Sequence, residues 1–469
     1  MSLIIPANSA SAGGYAVDNS LRFDSTAGTY LNFNQATATS ARKMTYSTWF
    51  KLSKLNDYNI LLENVANPHI SQIVIQDNGN NNDLRFYDYD GSTNIELKTS
   101  RAFRDVSAWY HIVVAMDTTQ STASNRVKIY INGVQETALD TATYPDQNYD
   151  TAITGGTLQI GRQGTTSYYL DGYLAETVFI DGLQLAADSF GEFDEDSGIW
   201  KPIDGLADLT FGNNGFYLDY KDSSALGNDA AGSNNLTVNN LTAVDQSTDT
   251  CTNNSATFNP LFTPNPSNVS TFSEGNLKVV TNSTSQNSEG LSTLGLTTGK
   301  WYGEFKLIAQ AAGESLCGVL NNIENVTSSG LNGTGGFSVA SNGDSFNNGS
   351  SQGAGNFSAS YTTNDIIGIA LDLDNNRVYF SKNGSYTDGS GNFDESSPTG
   401  YFSLTSGQTY FMGVGDKSTS QSSTWEANFG SPSFAISSGN TDANDYGNFE
   451  YAVPSGYYAL NTKNLAEFG

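Results

Sequence analysis

The sequence predicts an all-β protein made of two β-sandwich domains joined by an extended connector. Strand-like alternation of apolar and polar residues recurs in both halves of the chain, and helix-favouring patterns are few. The abundance of Gly, Asn, Ser and Thr favours short strands separated by many turns. With 469 residues, of which 37% are hydrophobic and 12% aromatic, the chain is long enough to fill more than one core.

The strongest strand signal lies in residues 109–134, which we interpret as a hairpin of two long strands. Large apolar residues occupy alternate positions in residues 110–116 and again, after a polar loop, in residues 127–131. Asn132-Gly133 ends the unit with a tight-turn dipeptide, because both residues tolerate positive φ.

The C-terminal half repeats this arrangement in residues 365–384. A strand, a short polar turn at 374–376 and a second strand are again followed by an Asn-Gly pair. A Trp-Tyr pair opens a strand in each half, at Trp109-Tyr110 and at Trp301-Tyr302. We therefore expect a separate β domain in each half.

The charge balance excludes some classes of partner. The chain has 48 Asp and Glu against 21 Lys and Arg, which gives a net charge of −27 at pH 7. Such a surface repels nucleic acid and anionic membranes, so we predict neither as a partner. We interpret the acidic charge as a source of solubility.

The cysteines and the N-terminus give no sign of export or anchoring. Cys251 and Cys317 are far apart in different predicted units, and we predict two reduced thiols. The first 20 residues lack a basic region and a long apolar core, so we predict no secretory signal. No stretch reaches the roughly 20 apolar residues that a membrane span needs.

Residues 1–20 predict an N-terminal arm of small residues with an apolar tip at 3–6. The arm is either a contact element that orders against a neighbouring subunit or a flexible tail. From residue 20 a series of short strands with turn signals follows, at the spacing expected of a sandwich, and ends near residue 190.

This first domain contains, in order, the segments MTYSTWFKL, WYHIVVAMD, VKIYINGV, LQIGRQ and LDGYLAETVFIDGLQL. The ordered set resembles the laminin-G/pentraxin type of concanavalin A-like jelly roll over about residues 21–185. The resemblance implies a jelly-roll domain at 21–190. It also implies glycan or protein binding by loops on one rim, often with calcium.

The calcium site implied by the pentraxin resemblance is not matched by this sequence. The resemblance places an Asp-Asn pair where this chain has Asn67-Pro68-His69, and acidic residues where it has Arg162-Gln163-Gly164. A guanidinium has the wrong charge for Ca²⁺, which needs several oxygen ligands. We therefore predict no metal site, and we interpret the other acidic loop residues as solvated carboxylates: Asp57, Asp77, Asp88, Asp90 and Asp171.

Residues 191–270 predict an extended connector that lies across the two sandwiches with little core of its own. The sequences FIDGLQLAADSFGEFDEDSGIWKPI and GNNGFYLDYKDSSALGNDAAGSNNLTVNNLT resemble a segment of virion-appendage proteins of tailed bacteriophages, especially marine ones. In those proteins the segment joins a laminin-G-like module to further β modules. The resemblance therefore implies a phage appendage.

Residues 271–437 resemble a SPRY domain. GKWYGEF at 299–305 is similar to its opening strand, residues 365–384 to its most recognisable hairpin, and residues 425–430 to its closing strand. The resemblance implies a non-catalytic β-sandwich that binds partners through loops at one end, among them residues 333–357. We assign residues 438–469 to an aromatic C-terminal segment that packs on the connector or on a neighbour.

The sequence shows no motif for catalysis. HExxH, GxSxG and phosphate-loop patterns are absent, and we interpret His69 and His111 as structural residues. The acidic run at 194–196 predicts a solvated turn, because glycoside hydrolysis needs two carboxyl groups at a defined separation across a cleft. We therefore predict no catalytic, cofactor-binding or metal-binding residues and no cofactor.

Four tyrosines are candidates for stacking on sugars, although tyrosines in strands also fill cores and interfaces. They are Tyr87, Tyr89, Tyr168 and Tyr169.

These observations predict a non-enzymatic structural protein of a bacteriophage virion, of the tail-fibre or spike type, located at the particle surface. Its sandwich rims would bind a host-surface glycan or protein. One alternative is a capsid-decorating or head-fibre protein, and another is a carbohydrate-active enzyme on a β scaffold. The expected partners are other virion proteins and further copies of the chain, with a trimer favoured.

Overall fold

The computed structural model describes residues 14–55, 57–66, 69–76, 81–164, 168–262, 269–282, 288–310, 314–321, 323, 330–353, 360–386, 400–417 and 422–469. These residues form β-sheets that are antiparallel except for one short strand pair, several short 3-10 turns and one short helix at the C-terminus. The fold class is therefore all-β, as predicted.

The chain divides into two compact units. The described residues up to Asn254 form the first unit, and those from Ser255 form the second. The predicted connector at 191–270 is thus divided: its larger part folds with the first sandwich, and its remainder starts the second unit. The C-terminal residues 438–469 also fold within the second unit.

The first unit contains eighteen strands in its described part. They are β1 (Ser20–Phe23), β2 (Tyr30–Asn34), β3 (Lys43–Leu52), β4 (Asn59–Ala66), β5 (His69–Gln76), β6 (Asp83–Tyr89), β7 (Thr93–Ala102), β8 (Tyr110–Asp117), β9 (Val127–Ile131), β10 (Val134–Gln135), β11 (Leu139–Thr143), β12 (Thr157–Ile160), β13 (Gly172–Asp181), β14 (Gly191–Phe193), β15 (Trp200–Pro202), β16 (Phe216–Leu218), β17 (Thr237–Asn239) and β18 (Gln246–Ser247).

Two eight-stranded sheets build the first sandwich. Sheet 1 has the order β10-β9-β8-β3-β13-β1-β18, with β16 also paired to β13, and sheet 2 has the order β11-β7-β6-β5-β4-β12-β2-β17. Apolar side chains from both sheets, such as Phe50, Val114, Ile73 and Phe86, form one buried core. Both sheets are antiparallel throughout.

The predicted hairpin at 109–134 is confirmed as β8 and β9. It ends in Asn132 and Gly133, with φ of 46° and 80°. Glycine is needed at 133 for a second reason, because a Cβ there would lie 2.2 Å from the Trp200 ring. The turn is therefore shaped both by its backbone and by the segment that packs on it.

Residues 186–254, which we call the covering segment, form a layer on the outer face of sheet 1. Trp49, Val113 and Tyr173 point out of that sheet and cluster with Phe190 and Trp200 of the covering segment. The segment also adds β16 and β18 to sheet 1 and β17 to sheet 2. The segment thus packs its apolar side chains partly on the outer face of sheet 1 and partly, through Phe216 and Leu218, into the core between the two sheets.

A buried ion pair fastens the end of the covering segment to sheet 1. Lys51 Nζ lies 2.8 Å from Asp249 Oδ2, and both side chains are almost fully buried. Asp249 Oδ1 also accepts a hydrogen bond from Trp109 Nε1 at 3.1 Å. Residues 1–13 of the predicted N-terminal arm lie outside the described residues, whereas Val17 is buried and donates its backbone N–H to Thr252 Oγ1 at 3.0 Å.

The second unit contains fifteen strands and the helix in its described part. They are β19 (Thr271–Ser273), β20 (Lys278–Val280), β21 (Ser288–Leu291), β22 (Lys300–Gln310), β23 (Ser315–Leu320), β24 (Gly336–Ala340), β25 (Ser345–Asn347), β26 (Ser350–Ser351), β27 (Ile366–Asp372), β28 (Arg377–Lys382), β29 (Ser385–Tyr386), β30 (Tyr401–Ser403), β31 (Phe411–Asp416), β32 (Ser423–Asn428), β33 (Tyr458–Ala459) and α1 (Thr462–Phe468).

Sheet 3, with the order β19-β20-β32-β22-β27-β28-β29, and sheet 4, with the order β21-β31-β23-β24-β25-β26, enclose the second core. The predicted hairpin at 365–384 is confirmed as β27 and β28. The predicted rim loop at 333–357 differs: its described residues form β24, β25 and β26, which pair in sheet 4, and residues 354–357 lie outside the described residues.

Glu304 on β22 holds the C-terminal part of the second unit. Its carboxyl group accepts hydrogen bonds from the backbone N–H groups of Glu450 and Tyr451, at 2.9 and 2.8 Å, and from Asn428 Nδ2 at 3.2 Å. β33 adds to β22 as a parallel neighbour. These contacts explain why residues after 437 belong to this sandwich.

Both cysteines are free and buried, and burial raises the pKa of each thiol well above its usual value. Within the described residues, no helix combines the length and apolar character that a membrane crossing requires.

Candidate functional site

Sheet 2 has one apolar and one polar face. Leu62, Ile73 and Phe86 point into the core of the first sandwich. Because successive side chains of a strand point to opposite faces, Glu63, Gln72 and their cross-strand neighbours lie on the outer face. This outer face is the candidate functional site.

The strand register aligns polar and aromatic residues of the outer face in one line across six strands. We call this line the polar row. It consists of Asn32 on β2, Gln159 on β12, Glu63 on β4, Gln72 on β5, Tyr87 on β6 and Glu96 on β7. Directly opposed residues on adjacent strands are close enough for their side chains to interact. The row is therefore a continuous surface.

Glu63 is the most unusual member of the polar row. Only 4% of its surface is exposed, and its Oε2 atom has no hydrogen-bond partner among the described residues. Burial raises the pKa of this carboxyl group to about 8, so it carries a proton through most of the neutral range. A buried polar atom without a partner is rare in proteins and suggests that something outside the chain supplies one.

Further polar atoms of this face are also buried and lack a hydrogen-bond partner within the described residues. Among them are the acceptor Oε1 of Gln159 and the donors Nε of Arg85 and Nε of Arg162. Gln72 Oε1, by contrast, accepts a hydrogen bond from Gln163 Nε2 at 3.0 Å. The face thus offers unsatisfied donors and acceptors together.

Tyrosines border the polar row at both ends. The rings of Tyr87 and Tyr89 stack with centroids 6.2 Å apart and 11° between their planes, and the Arg85 guanidinium lies 3.9 Å from the Tyr87 centroid. Ile70, opposite Tyr89 on β5, is 36% exposed. This end of the row is therefore an apolar surface with phenol hydroxyl groups.

At the other end, the Arg162 guanidinium lies 4.7 Å from the Tyr30 ring centroid and 5.5 Å from that of Tyr169. Tyr168 is 43% exposed, and its ring centroid is 4.8 Å from that of Tyr58. The structure thus places all four tyrosines that the sequence singled out at or beside this face.

The acidic residues proposed as solvated loop carboxylates are mostly paired within the chain. Asp57 lies 2.7 Å from Lys54 Nζ, and Asp171 accepts the Ser25 N–H at 2.8 Å. Asp88 points inward and accepts hydrogen bonds from the hydroxyl groups of Tyr149 and Thr151, both at 2.6 Å. This differs from the prediction, because the alternation of β6 turns Asp88 towards the core.

Asp90 is exposed and accepts a hydrogen bond from Ser92 Oγ at 3.4 Å, whereas Asp77 lies outside the described residues. No group of three or more His, Cys, Asp and Glu side chains in the described ranges is arranged to hold a metal ion. Of the positions compared with the pentraxin calcium site, His69 belongs to β5, and residues 162–164 lie in the turn after β12.

His111 is a buried structural residue beneath the covering segment. Its Nδ1 accepts a hydrogen bond from Trp200 Nε1 at 3.1 Å, so its Nε2 carries the proton and donates to Ser47 Oγ at 2.9 Å. Burial lowers its pKa to about 3. It is therefore neutral at physiological pH, and a pKa of about 3 does not suit an acid–base catalyst.

The acidic run at 194–196 forms an exposed turn. Backbone and side-chain hydrogen bonds from Ser197, together with Lys201 Nζ at 3.1 Å, lower the pKa of Asp194 to about 2. Such an environment favours the charged form and does not suit a proton donor.

Sequence reasoning missed Glu63, Gln72 and Gln159. Each is a polar residue next to a core-facing apolar residue of its strand, in NILLENVA, HISQIVIQ and TLQI. The alternation of polar and apolar residues could have predicted that these side chains face outward. It could not predict the strand register that brings the three side chains side by side.

Comparison with protein families gives the class of the first sandwich. Residues 24–185 match the laminin G model described as the concanavalin A-like lectin/glucanases superfamily. This part of the chain is thus similar to concanavalin A-like jelly rolls of the laminin G type, which agrees with the sequence resemblance. A search of curated proteins finds no match for the chain.

Three solved structures illustrate the fold likeness. A putative carbohydrate-binding protein from Bacteroides ovatus is 17% identical, with a TM-score of 0.35 over 48% of this chain and 59% of that one. The human HERC1 SPRY domain is 16% identical, with a TM-score of 0.26 over 36% and 96%. The heptameric SAP-like pentraxin of Limulus polyphemus is 17% identical, with a TM-score of 0.28 over 36% and 78%.

Proposed function

We propose that this protein is a non-enzymatic glycan-binding protein and that the outer face of sheet 2 holds the glycan. The observation that carries the proposal is the set of buried donors and acceptors without partners around Glu63. Those atoms are left unsatisfied at an energetic cost, which a bound polar ligand would remove.

The chemistry of the face favours a ligand rich in hydroxyl groups. A hydroxyl group donates one hydrogen bond and accepts two, so it serves the acceptor Gln159 Oε1 and the donor Arg162 Nε equally well. A simple anion only accepts and a simple cation only donates. The tyrosines supply the apolar bodies and polar tips that suit the mixed surface of a sugar. The match of residues 24–185 to a lectin and glucanase superfamily supports the same ligand class.

The spacing of carboxyl groups along the polar row favours binding over hydrolysis. Glu96 is the next carboxyl group of the row after Glu63 and lies three strands away. With neighbouring strands about 4.8 Å apart, the separation is roughly 14 Å. Glycosidases use pairs at most about 9.5 Å apart. A carbohydrate-active enzyme remains the second candidate, and release of reducing ends from a polysaccharide by the purified protein would favour it.

Binding is tested by screening the full chain against immobilised oligosaccharides and measuring the hits by calorimetry. Gln159→Ala and Tyr87→Ala are expected to weaken binding about tenfold or more, since each removes a contact of the ligand. Val134→Ser, at an edge of sheet 1 and 61% exposed, is the control and leaves binding unchanged. Glycan binding that survives both site substitutions would refute the location, and absence of any glycan binding would refute the function.

We propose that the biological setting is the surface of a bacteriophage particle, where the protein forms part of a tail fibre or spike and binds a host-surface glycan. The support is the resemblance of residues 179–203 and 212–242 to segments of phage appendage proteins. Weak single sites would gain avidity from several copies in an oligomer, for which a trimer is favoured. A capsid-decorating or head-fibre role is the alternative.

Electron microscopy of purified particles with an antibody label against the second unit tests this setting. Label at the tail tip or fibres supports adsorption. Label spread over the head contradicts the tail-fibre assignment and favours decoration of the capsid. Absence of label from all particles overturns the virion setting, while the glycan-binding proposal is judged by calorimetry alone.

A further inference from the structure

The polar row has a direction and a length. Gln159, Glu63, Gln72 and Tyr87 occupy four adjacent strands in register, so the line through them runs across the strands. At about 4.8 Å per strand it extends over roughly 14 Å. That length exceeds a single pyranose ring, and a ligand that contacts all four of these residues must be extended.

The row changes chemically along its length. The end on β12, β4 and β5 is made of amide and carboxyl groups, with two unpartnered acceptors at Gln159 Oε1 and Glu63 Oε2. The end on β6 is made of the stacked tyrosines, with the exposed Ile70 beside Tyr89. Hydroxyl groups suit the first end, and the apolar surface of a further sugar suits the second.

Two cations on this face are paired with carboxylates of the chain. Arg85 Nη2 lies 2.6 Å from Glu96 Oε1, and Lys98 Nζ lies 3.2 Å from Asp83 Oδ2. Glu63 at the centre of the row is protonated at neutral pH and adds no charge, whereas the net charge of −27 opposes an anionic ligand at longer range. The net charge of the chain thus disfavours uronic acids and sulfated sugars, whereas Arg162 beside the row is a cation that has no ion pair among the described residues.

We infer that the ligand of this face is an uncharged, linear oligosaccharide that lies across the strands of sheet 2, with one sugar over Glu63 and another at Tyr87 and Tyr89. The inference rests on the proposed glycan-binding function and adds the class, the direction and the minimum length of the ligand.

A length series of neutral oligosaccharides, from one to six sugars, tests this inference by calorimetry with the full chain. Affinity is expected to rise by about tenfold or more between one and four sugars and then to level off. Tyr87→Ala is expected to weaken binding of the longer oligosaccharides while leaving the monosaccharide unaffected, whereas Gln159→Ala weakens both. Thermal unfolding of each variant checks that it is folded, and Tyr87→Phe, which keeps the ring, retains most of the length dependence.

Equal affinity for one and six sugars would overturn the extended ligand, even though the glycan-binding function would stand. Tighter binding of a uronic-acid oligosaccharide, lost in Arg162→Gln, would overturn the neutral ligand and place the recognition at Arg162, which is packed against Tyr30 and Tyr169. If no oligosaccharide of the series or of the wider screen binds, the proposed function itself fails.

Discussion

At the scale of single residues, the protein keeps several carboxyl groups where water cannot solvate them, and Glu63 is the clearest case. Its folded-state pKa of about 8 compares with 4.5 for a free glutamate. The folded protein therefore holds a proton that the unfolded chain releases as pH rises from about 4.5 to about 8. The contribution of this proton to the free energy of unfolding is fully present below pH 4.5. It is lost as the pH rises through about 8.

Glu63→Gln is expected to remove this pH-dependent loss, because the amide fills the same space without ionising. The variant should be more stable than the native protein at pH 8.5, by up to about 5 kcal/mol, and close to it at pH 5. Urea unfolding of both proteins at the two pH values measures the difference. An equal difference at both pH values would show that Glu63 does not ionise in this range.

At the scale of elements, the covering segment depends on a few interactions with distant residues of sheet 1. Removing one member of a buried ion pair leaves the other charge buried without compensation. Asp249→Ala is therefore expected to destabilise the first unit by about 3–5 kcal/mol, because Lys51 would keep its charge beneath the covering segment. Thermal or urea unfolding gives the value.

The double variant Lys51→Met with Asp249→Leu is the matched comparison. It removes both charges and fills the space with apolar groups, and its cost is expected to be much smaller than that of Asp249→Ala. A double variant as unstable as the single one would show that packing and the Trp109 hydrogen bond, and not the unpaired charge, dominate the effect.

The elements also show what sequence reasoning can reach. Both hairpins were predicted because alternation and an Asn-Gly turn are local signals. The covering segment was predicted only as a connector, since it contributes single side chains such as Trp200 and Tyr217 that follow no period. The candidate site needed the position of β12 between β4 and β2, a pairing between strands about one hundred residues apart.

At the scale of the whole molecule, the described part of each unit contains two buried glutamates with raised pKa values. Burial raises the pKa of Glu63 to about 8 and those of Glu176, Glu289 and Glu304 to about 7. At Glu304, burial raises the pKa by more than the hydrogen bonds to the charged form lower it. His111 has the opposite pH dependence, because burial lowers its pKa to about 3. Its neutral form stabilises the fold, and this contribution is lost as the pH falls from about 6.5 to about 3.

We therefore expect both units to lose stability as pH rises from about 4.5 to 8, and the first unit to lose some stability on strong acidification as well. Mutual repulsion within a chain of net charge −27 adds to the loss at higher pH. Calorimetric unfolding between pH 4 and 9 measures the profile. A stability maximum above pH 8 would contradict this expectation.

The way the covering segment completes the first sandwich has a consequence for the evolution of such chains. The family match ends at residue 185, whereas β16, β17 and β18, which pair with both sheets, come after it. A recombination event that transferred only the matched residues would deliver a sandwich with Trp49 and Tyr173 bare and with sheet edges open to aggregation. The segment that folds as one unit is therefore longer than the segment that the family model matches, and we expect it to be exchanged intact when the breakpoint falls near Asn254.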